Sequence, residues 1–171
     1  MVAEIDRGDV AFQERFPAGA RATGGSVAVE CAKRGITLVS CLVDALVAGD
    51  LDLRRQDPRE FTYFGRDVPD GGRFQPERIA VELDRLVRAC DYGPFVSPWG
   101  TLLTSVGGTN VGIRRARLTG VVADAPPGTI RHDAEQVLVA CADEWLEVVS
   151  VTVDGKPERP SAALPSAAVI G

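Results

Sequence analysis

Near the start of the chain, Asp6 is a candidate catalytic residue because of its carboxylate and its neighbours in the sequence. It lies in the segment EIDRGDV, residues 4–10, between an isoleucine and an Arg-Gly-Asp turn that leads into an apolar run. This setting is typical of a chain segment that delivers a carboxylate to a site. The alternative is that Asp6 is a turn-favouring aspartate before Gly8, because Asp side chains bond readily to the backbone of a turn.

The other reactive residue types form no recognisable site. His132, the single histidine, lies in the polar turn GTIRHDAEQ and is interpreted as solvated and idle. The glycine-rich SVGGTN at residues 105–110 precedes no helix that could present its N-terminus to a phosphate, so we expect a hairpin loop.

The sequence lacks the ligands of a zinc site, because no CxxC pair occurs. Apolar neighbours predict that all four cysteines are reduced and buried: Cys31, Cys41, Cys90 and Cys141.

Three arginines make a basic cluster on a predicted strand. Alternation places Arg115 and Arg117 on one face of that strand and Arg114 on the other. We interpret the cluster as a solvated strand edge. The alternative is that these arginines meet an acidic partner protein or a phosphate group that such a partner carries.

The elements that would position these residues fall into two patterns. Apolar residues recur at helical spacing from Ser26 to Ala48, where Gly35 could break or kink the helix and Gly49 is placed to cap it. Short strands are predicted after the Asp6 turn and at residues 51–54. A further helix is expected from Pro76, as its first residue, to Cys90.

The pattern after Gly100 has the period of strands. Five short runs are separated by turn signals, which predicts a small barrel or sandwich. The runs are residues 101–106, 110–118, 129–131, 136–142 and 145–153. Residues 159–171 are rich in Ala, Ser and Pro and are expected to be a linker or a loose tail.

Composition excludes several classes of protein. The 171 residues carry a net charge of −5, so a bulk attraction to nucleic acid or to an anionic membrane is not expected. The apolar runs are shorter than the roughly 18 residues that a membrane span needs. Acidic residues occupy the start of the chain, unlike a signal peptide, and the expected location is the cytoplasm.

A series of segments in order resembles the formyltransferase family that includes methionyl-tRNA formyltransferase. EIDRGDVAFQ resembles the family's Asp-x-Gly-Asp turn, and GSVAVECAKRGITLVSCLVDALVAGDLDLRRQD resembles the helices and the Gln-Asp pair that follow it. FTYFGRDVPDGGRF and ERIAVELDRLVRACD are similar to the crossing into the C-terminal domain and its first helix. PPGTI and VLVACADEWLEVVSVTVDGK are similar to the oligonucleotide-binding (OB) type of barrel that closes such proteins.

The resemblance implies an α+β fold: a remnant strand and helices of a formyltransferase catalytic domain, a linking helix and a small OB-like β-barrel. The expected divisions are 1–65 for the catalytic remnant, 66–95 for the linker and helix, 96–158 for the barrel and 159–171 for the tail. One segment departs from the tRNA-acting members, which tend to carry a Trp-Pro turn where this chain has CDYGPFVSPWGTLL. That segment is more similar to formyltransferase-like domains of nonribosomal peptide synthetases.

The resemblance also implies roles for the candidate residues. Asp6 matches the family's aspartate, which holds a catalytic histidine in its useful tautomer, while the family's asparagine, histidine and folate-binding loops come earlier in order. We therefore expect an incomplete enzyme that needs an N-terminal formyltransferase half. The complete enzyme would move a formyl group from 10-formyltetrahydrofolate to an aminoacyl amine on a carrier protein or on tRNA. Arg114, Arg115 and Arg117 would dock that acceptor.

Two hypotheses follow. In the first, this chain is part of a formyltransferase and is inactive alone. In the second, it is a non-catalytic docking module for a carrier protein or RNA, and its apolar helix at 26–48 requires a partner to cover it.

Overall fold

The structure is a computed structural model that describes residues 6–63, 65, 67–166 and 168–170. The chain divides into two compact units. The N-terminal unit holds the described residues of 6–20 and 27–65. The C-terminal unit holds 21–26 and the described residues from 67 onward. Within the described ranges, no helix is both long and apolar enough to cross a bilayer.

Helix α1 runs without a break over Gly24–Ala48. It begins at a reciprocal cap, in which the Ser26 N–H donates to Thr23 Oγ1 and the Thr23 N–H donates to Ser26 Oγ. It ends at Gly49, whose φ of 67° lets the Asp50 N–H reach the Ala45 carbonyl. The predicted helix and its glycine cap are confirmed, and Gly35 neither breaks nor ends it.

The chain segments on either side of α1 meet at one bridge. The Val10 N–H donates to the Arg54 carbonyl at 2.8 Å, and the Arg54 N–H donates back at 3.0 Å. The strands predicted after the Asp6 turn and at residues 51–54 are therefore wrong as extended strands. Within the described chain these segments have only each other to pair with, and the pairing stops after one residue on each side.

The C-terminal unit is built on one antiparallel sheet of six strands. They are β1 Leu102–Val106, β2 Thr109–Val122, β3 Ile130–Asp133, β4 Gln136–Ala140, β5 Glu144–Val153 and β6 Lys156–Glu158. The order is β1-β2-β5-β4-β3, with β6 on β5. All five predicted strands are present, and Gly107 and Gly108, both at positive φ, make the predicted hairpin loop between β1 and β2. The fold is thus α+β with an antiparallel sheet.

Helix α2, Ala80–Cys90, packs on this sheet and begins later than the sequence suggested. Pro76 was expected to be its first residue, but Pro76 is buried in the turn that precedes the helix. The Ala80 N–H donates instead to Oδ1 of Asp143, 63 residues further along the chain, at 2.8 Å. The helix therefore starts where a carboxylate from the sheet can satisfy one of its free N–H groups.

A buried carboxylate ties α2 to the segment before α1. The side chain of Asp84 is 1% exposed, and its Oδ2 accepts hydrogen bonds from Arg21 and Arg88, each at 2.9 Å. Arg88 also donates to the Ala22 carbonyl at 2.6 Å. Two guanidinium groups on one carboxylate compensate the cost of taking that charge out of water.

The core lies between α2, the sheet and the end of the chain. Its fully buried side chains include Leu83, Val111, Ile113, Leu146 and Val151. Trp145, 2% exposed, belongs to a smaller cluster with Leu138 and Ala140, and its indole N–H donates to Asp124.

The described residues after 159 are not a loose tail. Pro160–Ala163 form a short helix, α3, and Leu164 and Ile170 are buried in the core. Val169 bridges to Thr129, just before β3, and Ile170 bridges to Val106 at the end of β1. These two residues thus reach both outer strands, which share no ladder with each other in the described chain, so a closed OB-like barrel is not confirmed.

Candidate active site

The candidate active site is the turn that presents Asp6. Asp6 is exposed and has a φ of 58°, a left-handed conformation that non-glycine residues adopt rarely. Gln56 holds this turn: its side-chain Nε2 donates to the Asp6 carbonyl at 3.0 Å and to the Gly8 carbonyl at 2.6 Å. The carboxylate of Asp6 is left exposed beside a turn whose backbone is fixed by the amide.

Two further contacts surround the turn. The Arg7 guanidinium lies 4.5 Å from the centre of the Phe61 ring, a cation–π distance. The Asp57 carboxylate accepts bonds from the side chain and the backbone N–H of Arg59, and these bonds hold the pKa of Asp57 below its usual value. The Arg7–Phe61 contact joins the segment after Gln56 to the Asp6 turn, and the Asp57–Arg59 bonds order that segment locally.

A cavity of about 450 Å³ in the N-terminal unit adjoins this turn and shares Gln56 with it. Most of its walls are charged or polar. The lining residues are Val10, Gln13, Arg15, Arg54, Arg55, Gln56, Asp57, Glu60 and Phe61. Gln56 and Asp57 are the Gln-Asp pair of the family resemblance, but sequence reasoning assigned no role to any lining residue, because their types become informative only once the two flanks of α1 meet.

His132 is only partly exposed and forms a hydrogen bond within its unit, which corrects the expectation of a solvated, idle side chain. It lies on β3 in the C-terminal unit, partly buried, and its Nε2 is 2.7 Å from the Leu164 carbonyl. Since a carbonyl can only accept, Nε2 carries the proton and donates. The histidine therefore joins β3 to the segment after α3, and Asp6 belongs to the other compact unit.

The three arginines lie on β2, and Arg115 and Arg117 are exposed on either side of buried Ala116, as alternation predicted for these two. The register of β2 on β5 shifts between Ile113 and Ala116, so alternation does not assign a face to Arg114. Their strand is not a sheet edge, however, since β2 pairs with both β1 and β5. Arg115 contacts Asp91 at 3.2 Å, and Arg117 contacts Glu147 at 3.3 Å. Arg114 donates to the Gly93 carbonyl. The cluster is thus paired with carboxylates and backbone of its own unit.

Three cysteines lie on helices α1 and α2, and the fourth lies in the connection between β4 and β5. Cys90 and Cys141 are buried as predicted, whereas Cys31 and Cys41 on α1 are exposed, so the prediction is wrong for these two. None of the described residues of α1 is buried, and that explains the exposure of its cysteines.

No group of three possible metal ligands occurs in the part of the chain that the structure describes.

Comparison with known proteins identifies the family. The family model described as "Formyl transferase, C-terminal domain" matches residues 73–164, more than half of the chain. The chain belongs to this family. The match covers α2 and the whole sheet of the C-terminal unit, where the sequence had suggested the family's C-terminal domain.

Curated relatives extend the similarity into the N-terminal unit. The methionyl-tRNA formyltransferase of Thermobifida fusca is 29% identical over 168 residues, which cover 98% of this chain and 52% of the relative. The methionyl-tRNA formyltransferase of Ectopseudomonas mendocina is 30% identical over 155 residues, covering 91% and 47% respectively. The chain therefore spans about half the length of the curated relatives it matches.

A solved structure shares the fold. An N-formyltransferase from Helicobacter canadensis, determined in complex with folinic acid and dTDP-3-aminofucose, superposes with a TM-score of 0.58. The alignment covers 86% of this chain and 52% of that protein, at 14% identity.

Proposed function

We propose that this chain forms the C-terminal half of an enzyme that transfers a formyl group from 10-formyltetrahydrofolate to the amine of an aminoacyl-tRNA. The observation that carries the proposal is the similarity to methionyl-tRNA formyltransferases over 91–98% of this chain, through both compact units. The same relatives favour tRNA as the acceptor and give no support to a carrier protein. The tRNA substrate, the formyl donor and an N-terminal catalytic half are likewise proposed.

Asp6 is the catalytic contribution of this chain in the proposal. Formyl transfer to an amine needs a base for the proton of the nucleophile and a donor for the oxyanion that develops on the formyl group. An aspartate that accepts a hydrogen bond from a histidine orients the ring and favours its charged form. His132 already donates to Leu164 and serves its own unit, so we propose that the histidine paired with Asp6 comes from a formyltransferase catalytic half.

The donor is not expected to bind in the cavity next to Asp6. A pteridine ring is flat and largely apolar at its faces, whereas this cavity is lined by three arginines, two glutamines and two carboxylates. We therefore place the folate in the catalytic half. This chain alone is proposed to have no turnover.

The C-terminal unit is proposed to be an OB-like barrel that docks the acceptor through Arg114, Arg115 and Arg117. The supporting observation is that Arg115 and Arg117, with side chains 57% and 63% exposed, project from one face of β2. Both would exchange a carboxylate partner for a phosphate, so each is expected to add little to the affinity. Arg115→Gln and Arg117→Gln should each raise KM for tRNA about twofold.

The deciding experiment joins this chain to the N-terminal half of the Thermobifida fusca enzyme. The fusion should formylate methionyl-tRNA with 10-formyltetrahydrofolate, while this chain alone should give no product. Asp6→Asn in the fusion should lower kcat by at least 100-fold, and Asp9→Asn, an exposed aspartate three residues away, should not. Product from the chain alone would refute its proposed dependence on a second half. A folded fusion without activity would count against the proposed function.

A further inference from the structure

The cavity next to the Asp6 turn concentrates positive charge in a chain that is acidic overall. Arg15, Arg54 and Arg55 all line it, although the chain as a whole carries a net charge of −5. Arg15 comes from the segment before α1, and the other two come from the segment after it. The bridge between Val10 and Arg54 holds these segments together and so brings the three arginines to the same cavity.

The charges of these arginines are not cancelled. Among the described residues, neither Arg15 nor Arg55 forms a salt bridge or a side-chain hydrogen bond. Arg54 donates to Gln13 Oε1 at 2.9 Å, and a neutral amide leaves the cationic charge in place. This contrasts with Arg115 and Arg117 on β2, each of which has a carboxylate partner.

The two carboxylates in the cavity lining do not make the net charge of the lining negative. Asp57 is bound by Arg59 at 2.8 Å, so its charge is compensated locally. Glu60 is the remaining negative group, set against three guanidinium groups. The cavity therefore favours an anion, and its arginines offer the paired N–H groups that match phosphate oxygens.

The exposure of the lining indicates what kind of anion fits. All three arginines and Gln56 are exposed, so the cationic lining is accessible from the surface. An open cationic wall suits a charge carried on an extended chain, such as a nucleic-acid backbone. Gln56 lines the cavity and also holds the backbone of the Asp6 turn, so an anion bound there would lie next to the side chain that fixes this turn.

We propose that Arg15, Arg54 and Arg55 bind a backbone phosphate of the RNA acceptor next to the Asp6 turn. This inference rests on the proposed function, because that function supplies an RNA whose aminoacyl end must reach Asp6. The arginines position the single-stranded end of the acceptor. They take no part in the transfer of the formyl group itself.

The test measures binding of a labelled single-stranded octaribonucleotide to the full chain by fluorescence anisotropy at several salt concentrations. The double variant Arg15→Gln/Arg55→Gln should weaken binding at least tenfold. The slope of log K against log salt concentration should fall in magnitude by about 0.7, the value for one lost phosphate contact on a single strand. The control Lys33→Gln/Arg85→Gln removes two exposed cations outside the cavity and should leave both values within twofold of the wild type.

Two further probes identify the group that is recognised. An octamer of the same sequence with an uncharged methylphosphonate backbone should not bind. Equal binding of this neutral octamer, or equal loss in the cavity variant and the control, would overturn the inference. So would cavity-dependent binding of 4′-phosphopantetheine in the absence of oligonucleotide binding. Circular dichroism melting of both double variants checks that the fold is retained.

The outcome separates this inference from the proposed function. If the fusion enzyme formylates methionyl-tRNA but Arg15→Gln/Arg55→Gln leaves the salt slope unchanged, the phosphate site is wrong and the function stands. If the cavity binds RNA as described but a folded fusion gives no product, the function fails and the phosphate site stands. Success of both requires that the double variant raise KM for tRNA with little change in kcat.

Discussion

The side-chain amide of Gln56 holds the backbone of Asp6 from 50 residues further along the chain. One nitrogen donates to two carbonyls, those of Asp6 and Gly8, and these carbonyls flank the turn in which Asp6 has a φ of 58°. A left-handed aspartate costs free energy that its surroundings must offset. The Gln56 amide therefore fixes the direction in which the Asp6 carboxylate leaves the backbone.

Gln56→Leu should disturb the Asp6 turn while leaving the rest of the unit intact. In the fusion enzyme we expect kcat to fall about 10- to 100-fold, because a misplacement of about 1 Å at a catalytic group has a cost of that size. Steady-state kinetics measures the change. Gln13→Leu is the matched control, since Gln13 lies in the same unit and bonds to Arg54 and not to the turn. Equal kcat values for the two variants would contradict a positioning role for Gln56.

Asp84→Ala should destabilise the C-terminal unit by about 3 kcal/mol. The substitution leaves the guanidinium of Arg88, 16% exposed, without its buried partner, and removing one member of a buried pair is strongly destabilising. Urea unfolding measures the free energy. Glu82 lies on the same helix, and its ion pair with Arg78 is more exposed. Glu82→Ala should therefore lower the free energy of unfolding by less than about 1 kcal/mol. A loss from Asp84→Ala no larger than that control would show that the buried pair contributes little.

Ile170→Ala should cost about 2–4 kcal/mol, as expected for a large side chain removed from a core. Ile170 is 4% exposed and bridges to Val106, whereas its neighbour Val169 is 61% exposed. Val169→Ala should therefore change the free energy of unfolding by only a few tenths of a kcal/mol. Thermal and urea unfolding of the pair test whether the segment after α3 belongs to the core. Similar values for both variants would argue that it does not.

The four thiols should react in two classes. Cys31 and Cys41 are exposed and should be alkylated by iodoacetamide within minutes at pH 8, while buried Cys90 and Cys141 should be protected until the protein is unfolded. Mass spectrometry of the native protein should therefore find two modified cysteines, and four in denaturant. Rapid native modification of Cys141 would show that the sheet opens more readily than its burial suggests.

Stability should fall as the pH rises above about 8.5. Burial, with Asp143 and Glu144 close by, raises the pKa of the Cys141 thiol to about 12. In the unfolded chain this thiol ionises near its ordinary pKa, so the unfolded state loses a proton that the folded state keeps, and high pH favours unfolding. We expect a loss approaching 1.4 kcal/mol per pH unit between pH 9 and 11 from this group. Cys141→Ala should reduce the slope, and an unchanged slope would exclude Cys141 as its source.

Local sequence patterns were sufficient to predict those helices and strands whose ends are set by neighbouring residues. Helix α1 has a polar cap and a closing glycine, and the strands after Gly100 alternate between turn signals, so their positions were predictable. The start of α2 was not, because its cap is the carboxylate of Asp143 from a distant turn. The exposure of Cys31 and Cys41 was also missed, since apolar neighbours predict burial only where something covers the helix.

The candidate site was predictable only in part for the same reason. Asp6 could be named because its turn resembles that of a family. Gln56 could not be assigned a role, since its acceptors are two carbonyls some 50 residues earlier, which no local pattern indicates. The basic cavity was not predicted, because its arginines come from the two separate segments on either side of α1. By contrast, the adjacent arginines on β2 were named as docking residues, although two of them pair with carboxylates.

The segment around Ile170 also bears on how molecules of this protein behave in concentrated solution. An outer strand with unpaired N–H and C=O groups is a template on which another molecule can add a strand and start an aggregate. Here Phe74 donates to the Leu103 carbonyl on one part of β1, Ile170 bridges its last residue, and Val169 bridges the residue before β3. A shortened protein ending at residue 164 would lose the bridges at Val106 and Thr129, and its solubility should drop well before its secondary structure is lost.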